Sequence, residues 1–218
     1  MLHIIHQVLD AGFLENVRKE LATGEFRDGR ETAFGMARNV KNNLQLDWSK
    51  HPALLDQFRA VLIAHAELRR LAMPLQMSKL RLARYETGME YGAHSDNPTI
   101  EAVRADISFT LFLSDPDSYS GGELAIESAL GDMLIRLPAG SMVLYDTSAT
   151  HRVTPVTRGR REVLVGWIQS QIRDHRRREI VSDLEKMRKE YLARVGHDSH
   201  ADLLLKCSNN LQRMWIEK

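Results

Sequence analysis

The 218-residue chain predicts an α+β fold: a β-rich core of short, tight-turned strands, with helices packed on it from the N-terminal side and a helical extension after it. Three observations predict it. Apolar residues recur at helical spacing as far as Leu62, the period drops to two between Leu80 and Ile172, and helical spacing returns from Ile180. The expected divisions are 1–74 as a helical and strand support region, 75–172 as the core and 173–218 as the extension.

Residues 2–9 form the first strand, and Asp10 caps a helix whose Phe13, Val17 and Leu21 recur every four residues on a core-facing stripe. Thr23 to Arg38 is rich in glycine and charge without a clear period, which predicts loop or edge strand running into the polar segment Lys41 to Leu46. Pro52 suits the first turn of a second helix, with Leu55, Phe58 and Leu62 on its buried face and its end before Pro74. Beyond it, Leu80 and Leu82 alternate with Lys79 and Arg81, and Ile107, Phe109, Leu111 and Leu113 alternate with Ser108, Thr110 and Phe112. Such alternation predicts half-buried strands.

Turn residues at Asp115-Pro116, Ser120-Gly121-Gly122 and Pro138-Ala139-Gly140 separate further strands at Glu123 to Ile126, 133–137, Ser141 to Tyr145, Arg152 to Val156 and Arg161 to Ile172. About eight short strands in all predict a sandwich or barrel rather than alternating βαβ units. Two helical stripes follow, Ile180, Leu184, Met187 and Tyr191, then Leu204, Cys207, Leu211 and Met214, with a break at Gly196 to Ser199. The charged run Arg173 to Arg178 reads as a solvated helix start. The stripes read as packed on the sheet, with a homodimer through them as the alternative.

Composition narrows the class. Hydrophobic residues at 43% and charged residues at 27% are ordinary for a soluble globular protein. Thirty Lys+Arg against 29 Asp+Glu leave a net charge of +1, which gives no electrostatic reason to expect a nucleic-acid or membrane partner. Cys207 is the single cysteine, so an intramolecular disulfide and any cysteine-rich metal cluster are excluded, as suits a reducing cytoplasm. The opening MLHIIHQVLDAGF has neither a basic start nor a long apolar run, and no stretch approaches the roughly 20 apolar residues a bilayer requires. The expectation is a cytoplasmic protein.

The chemistry gathers around Tyr85 to Asp96, YETGMEYGAHSD, which ends in a His-x-Asp pair. Side chains alternate along an extended segment, so His94 and Asp96 share a face and can bind one ion through imidazole and carboxylate. His151, in the run HRVTPVTRGRR, is the candidate third ligand, remote enough to lie on another strand. Two histidines and one carboxylate with the other positions open is the ligand set of non-haem Fe(II) oxygenases. Arg161 begins a strand on which it shares a face with Val163, Val165 and Trp167, while Arg160 points outward. A lone cation on an apolar face implies a buried anion, and the planar guanidinium suits the far carboxylate of 2-oxoglutarate.

Taken together, Y-x-x-G-x-x-Y-G-x-H-x-D from Tyr85, S-G-G-E-L from Ser120 and H-R-V-T-P-V-T-R-G-x-R from His151 resemble the Fe(II)/2-oxoglutarate-dependent dioxygenases of the prolyl-hydroxylase superfamily. With VKNN-x-Q-L at Val40 to Leu46 and the helical extension, the chain is more narrowly similar to the bacterial PKHD-type hydroxylases. The resemblance spans nearly the whole chain. It implies a double-stranded β-helix (jelly-roll) core, His94, Asp96 and His151 as iron ligands, Arg161 as the 2-oxoglutarate anchor and Tyr85 beside the co-substrate. It implies hydroxylation of a small-molecule or peptidyl substrate with release of succinate and CO2, L-ascorbate as reductant and a link to bacterial iron homeostasis. Halogenating relatives lack the carboxylate that Asp96 supplies. A second co-substrate tyrosine of some animal relatives has no clear match, Phe112 standing in that part of the strand.

Other residues read less sharply. Lys41, Asn42 and Asn43 fit either the mouth of a substrate site or a solvated loop, and Tyr91 reads first as a core aromatic. Loops 23–38 and 97–105 are the expected selectors of substrate. His3, His6, His51, His65, His175, His197 and His200 read as surface or capping residues. The competing functions are a non-enzymatic iron sensor or cupin-like metal-binding module, which has no need of Arg161, and a nucleic-acid demethylase, whose arginine-rich signature is unlike EVLVGWIQ at Glu162 to Gln169.

Overall fold

The structure, a computed structural model, describes residues 1–33 and 35–217. Strand β1 (Leu2–Ile5) leads into helix α1 (Ala11–Thr23), where the Asp10 carboxylate accepts the Phe13 amide at 2.7 Å and so satisfies a first-turn donor. Strand β2 (Phe26–Asp28), the four-residue helix α2 (Met36–Asn39) and strands β3 (Lys41–Asn42) and β4 (Leu44–Leu46) follow. The stretch 23–38 thus holds an edge strand and helical turns, with Phe34 outside the described residues. The expected second helix is two, α3 (Pro52–Ala64) and α4 (Ala66–Ala72). His65 breaks it: its extended backbone ends α3, and its ring nitrogen accepts the Leu68 amide to cap α4.

The β region comprises β5 (Pro74–Met77), β6 (Arg81–Glu86), β7 (Glu90–His94), β8 (Thr99–Ile100), β9 (Val103–Arg104), β10 (Ile107–Phe112), β11 (Tyr119–Gly121) and β12 (Leu124–Ile126). It continues through β13 (Met133–Ile135), β14 (Met142–Asp146), β15 (His151–Val153) and β16 (Val156–Ser170), before helices α5 (His175–Arg194) and α6 (Ser199–Trp215). Sixteen strands among the described residues are twice the number expected, because strands of two or three residues are too short to show a period.

The path β1-β14-β10-β16-β6-β4-β2 runs through a nine-stranded sheet, with β5 and β11 also paired to β16, and β13-β12-β15-β7-β3 forms a second sheet of five strands. Every recorded strand pairing is antiparallel. Strand parity then sorts the core into two. Leu82, Ile107, Phe109, Leu111, Leu144 and Leu164 face Leu14, Val17, Phe58, Leu62 and Leu68 of the helices. Ala83, Tyr85, Phe112, Val143, Tyr145 and Val163, one step out of phase, face Leu124, Ile126 and Val153 of the smaller sheet. This corrects the expectation of half-buried strands: all of β10 is buried, because the smaller sheet covers the face that Ser108 and Thr110 would otherwise show to water. The alternation is real, but both of its faces are interior.

Gly166 sits opposite Phe109 in the β10–β16 ladder, and a Cβ there would come within 2.7 Å of the Phe109 ring. Gly166→Ala is therefore expected to destabilise the protein by about 1–3 kcal/mol through overpacking. Chemical denaturation checks this, and an unchanged midpoint would show that the ring has room to move.

The C-terminal helices depart from their predicted stripes. Helix α5 buries Arg178, Val181 and Ser182, leaving Ile180 47% and Met187 56% exposed, while Met214 on α6 is 71% exposed. Arg178 is no solvated helix start: it is 1% exposed, and its Nη1 donates to the carbonyls of Ile172 (2.8 Å) and Arg173 (2.6 Å). It bonds the connection just beyond β16, which a charge run in the sequence does not reveal. Among the described residues no helix is long and apolar enough to cross a membrane.

Candidate metal centre and co-substrate pocket

Strands β7 and β15 are neighbours in the smaller sheet, with His94 and His151 directly opposed in register and their rings 4.4 Å apart. Asp96 lies two residues beyond His94, just past the end of β7, on the same side. Ligand atoms of His94, Asp96 and His151 all fall within 4.8 Å of one another, so one ion can be reached by all three.

The orientation of each of these side chains is fixed from behind. The Nδ1 of His94 lies 2.8 Å from the Gly92 carbonyl and that of His151 lies 3.0 Å from the Ala149 carbonyl. A carbonyl only accepts, so both Nδ1 atoms carry the proton and both Nε2 lone pairs face Asp96, at 3.9 and 3.7 Å from its carboxylate. Asp96 Oδ2 accepts from Ser108 Oγ (2.9 Å) and from the Trp167 indole N–H (2.8 Å). Burial, aided by neighbouring His151, pushes His94 down to about 4, which keeps the ring neutral as a metal ligand must be.

Arg161 is the sixth residue of β16 rather than the first of a strand as expected, because the chain stays extended from Val156, and it is paired in register with Tyr85 on β6. It is 1% exposed, its guanidinium carbon lies 5.1 Å from the Tyr85 ring and 5.5 Å from the Phe112 ring, and its Nε and Nη1 have no hydrogen-bond partner. An unanswered buried guanidinium is costly unless an anion completes it. The triad and Arg161 line one cavity of about 330 Å³ between the two sheets. The donor set suits Fe(II), and the two free guanidinium nitrogens suit a carboxylate at the far end of the same space.

Three tyrosines besides Tyr85 stand at or close to the site. Tyr145 packs edge-on to His151 at 5.1 Å, and burial raises its phenol. Tyr91 stacks on His94 at 3.7 Å, so it braces a ligand besides filling the core. Tyr119, 1% exposed, brings an unpartnered hydroxyl close to Arg161 from β11, a strand away from Phe112. Lys41 and Asn43 line the cavity at 6% and 3% exposure, so neither belongs to a solvated loop. Arg81, which alternation assigned outward, lines it as well. Residues of both expected selector loops reach it, among them Glu31, Thr32, Asn97 and Glu101. Arg160, 52% exposed, points outward as expected.

Comparison with known proteins places this geometry. A model of the 2OG-Fe(II) oxygenase superfamily matches residues 80–169. A PKHD-type hydroxylase of Maricaulis maris (strain MCS10) is 42% identical over 218 residues, all of both chains, and one of Synechococcus elongatus is 44% identical over 223 residues, again all of both. Among solved structures, a Pseudomonas putida prolyl-4-hydroxylase shares the fold at a TM-score of 0.52 and 21% identity, covering 78% of this chain and 92% of its own. The chain therefore belongs to the PKHD-type hydroxylases, dioxygenases of the 2OG-Fe(II) oxygenase superfamily whose cofactor is Fe(II) and whose co-substrate is 2-oxoglutarate.

Proposed function

We propose that the protein hydroxylates a small-molecule or peptidyl substrate at an iron held by His94, Asp96 and His151, with Arg161 and Tyr85 receiving 2-oxoglutarate. The observation that carries this reading is the sharing of one cavity by a clustered His-Asp-His set and a buried guanidinium with free donors. In this reading the two sheets form a double-stranded β-helix built largely by residues 75–172, with 1–74 and 173–218 as support and extension.

When bound, iron with 2-oxoglutarate supplies oxygen activation coupled to oxidative decarboxylation, giving succinate and CO2. The chain's own residues set the geometry. His94 and His151 turn their Nε2 atoms towards Asp96 and the ion because the Gly92 and Ala149 carbonyls hold their Nδ1 sides. Asp96 contributes charge through a carboxylate oriented by Trp167 and Ser108. Arg161 pairs with the far carboxylate, and Phe112, Val163 and Leu124 exclude water around it.

Anaerobic titration of metal-free protein with Fe(II), then 2-oxoglutarate, tests this through the weak visible charge-transfer band of the chelate. The band is expected to need Asp96 for iron and Arg161 for tight co-substrate binding, and to fail in Asp96→Ala and Arg161→Ala. Iron binding without any band in the wild type would instead indicate a metal-binding module. A subtler expectation concerns Trp167→Phe, which removes one donor to Asp96 while keeping an aromatic ring. Metal affinity should fall about 10–100-fold, as for other groups that orient ligands. Competition with a coloured chelator measures this, and unchanged affinity would deny the indole its orienting part.

A further inference from the structure

The geometry points to a primary substrate that is a small organic acid, its free carboxylate received by Lys41 and Arg81 at the mouth of the pocket. The inference rests on the hydroxylase reading and names the substrate class of that site.

Lys41 is 6% exposed, and among the described residues it makes no ion pair. Its ammonium donates to Thr32 Oγ1 at 3.1 Å and lies 5.2 Å from the centre of the Tyr91 ring, which stacks on His94. Arg81 reaches the same residue from the other side: its Nη1 donates to the Thr32 carbonyl at 3.0 Å, and its guanidinium lies 5.0 Å from the Trp167 ring, whose N–H holds Asp96. Two cations thus converge on Thr32, each seated on an aromatic ring that touches a metal-site residue. Burial, with Arg81 adding to it, pushes the Lys41 ammonium down to about 8, so it remains largely charged near neutral pH.

Charge within the cavity asks for an anion. The buried or half-buried charges lining it are Lys41, Arg81 and Arg161 against Asp96 alone, because Glu31 and Glu101 are exposed at the rim. Fe(II) adds two positive charges and 2-oxoglutarate removes two, leaving the loaded pocket with an interior excess of two positive charges, met only by the rim carboxylate of Glu101 beside Arg81. A desolvated ammonium beside a guanidinium is expensive to maintain without a ligand that answers it. The kind of ligand is indicated by Glu101, whose carboxylate stands 3.7 Å from Arg81 and is 45% exposed. It lies in the turn between β8 and β9, where Glu101 and Ala102 both have positive φ, at 51° and 66°. That turn presents a carboxylate to Arg81 in the place a substrate carboxylate would take. The pocket's modest volume, already shared with 2-oxoglutarate, favours a small acid over a folded protein surface.

Benzoate and benzamide, matched in shape but one an anion and the other neutral, are suitable probes. Each is titrated anaerobically into protein carrying Fe(II) and 2-oxoglutarate, and paramagnetic broadening of its ring protons reports approach to the metal, with a Zn(II) control. Benzoate is expected to bind at least tenfold tighter than benzamide while the charge-transfer band persists, showing that 2-oxoglutarate stays in place. Lys41→Met and Arg81→Met should each weaken benzoate at least tenfold without moving half-saturation by 2-oxoglutarate. Glu101→Gln should strengthen benzoate binding, a gain that no loss of folding can mimic. Equal binding of the two probes would overturn the proposal. A shift in 2-oxoglutarate half-saturation in Lys41→Met would also overturn it, by placing Lys41 on the co-substrate. Tenfold tighter binding of the peptide acetyl-Gly-Glu-Gly-amide than of benzoate would overturn the small-acid assignment in favour of a peptidyl carboxylate. Absence of the band in wild type would sink the hydroxylase reading separately, and calorimetry of both probes on metal-free protein would still decide whether the cation pair prefers the acid.

Discussion

Asp96→Ala will abolish 2-oxoglutarate turnover, lowering kcat/KM by at least about 10³-fold, since a bound metal contributes several kcal/mol of stabilisation to the reacting charges. The same change strands the buried Trp167 indole N–H, which donates to Asp96 Oδ2, while Ser108 Oγ, the other donor to that oxygen, keeps Thr147 Oγ1 at 3.0 Å as a partner. Leaving such a donor unanswered costs about 1–3 kcal/mol. Asp96→Ala should therefore be both inactive and less stable, with the melting temperature falling by roughly 2–4 °C per kcal/mol at this chain length. Asp96→Asn separates the two effects. Its amide oxygen still accepts from Trp167 and Ser108, so stability should stay near that of the wild type, but it brings no negative charge to the ion. Calorimetric melting measured beside succinate release checks both. Turnover in Asp96→Asn above a tenth of the wild type would reject the ligand role.

How much of this was legible beforehand follows from what each signal measures. The gathering of His94, Asp96 and His151 was readable because a two-residue spacing on an extended chain fixes a shared face, and His151 is remote enough in sequence to lie on another strand. Arg161 was readable because a cation on an apolar strand face is anomalous by itself. Arg81 was not, because a cation alternating with Leu80 and Leu82 is what a half-exposed strand ordinarily shows, and nothing local announces a second sheet on its polar face. The same blindness hid the burial of Ser108 and Thr110, which only long-range packing decides. Arg178 was misread for a related reason: a run of charges looks solvated whether or not one member turns inward to bond the carbonyls of the connection just beyond β16. The break at His65 lay in a helical pattern that continued on both sides, so the period gave no sign of it.

Arg161→Met should raise the stability of the ligand-free protein and erase the stabilisation that 2-oxoglutarate confers, reversing the order of wild type and variant. In the ligand-free state the guanidinium is 1% exposed with Nε and Nη1 unanswered, and the rings of Tyr85 and Phe112 repay only part of its lost hydration. Methionine fills similar space without a charge, and replacing buried ionic groups by apolar ones of like volume is neutral or stabilising by about 1–4 kcal/mol. The aromatic contacts put this case at the lower end of that range. Co-substrate binding moves the other way. Removing one partner of a buried, hydrogen-bonded charge pair costs about 2–5 kcal/mol, or roughly 30-fold to several-thousand-fold in affinity. At a concentration of 100 times its dissociation constant, 2-oxoglutarate stabilises the wild type by about 2.7 kcal/mol, whereas for the variant the same concentration is at most about three times the dissociation constant and contributes less than about 1 kcal/mol. Melting curves of the two proteins, loaded with Zn(II) and run with and without 2-oxoglutarate, should therefore cross. If Arg161→Met melts below wild type without co-substrate yet still gains from it, the guanidinium is holding the sheet together rather than waiting for an anion.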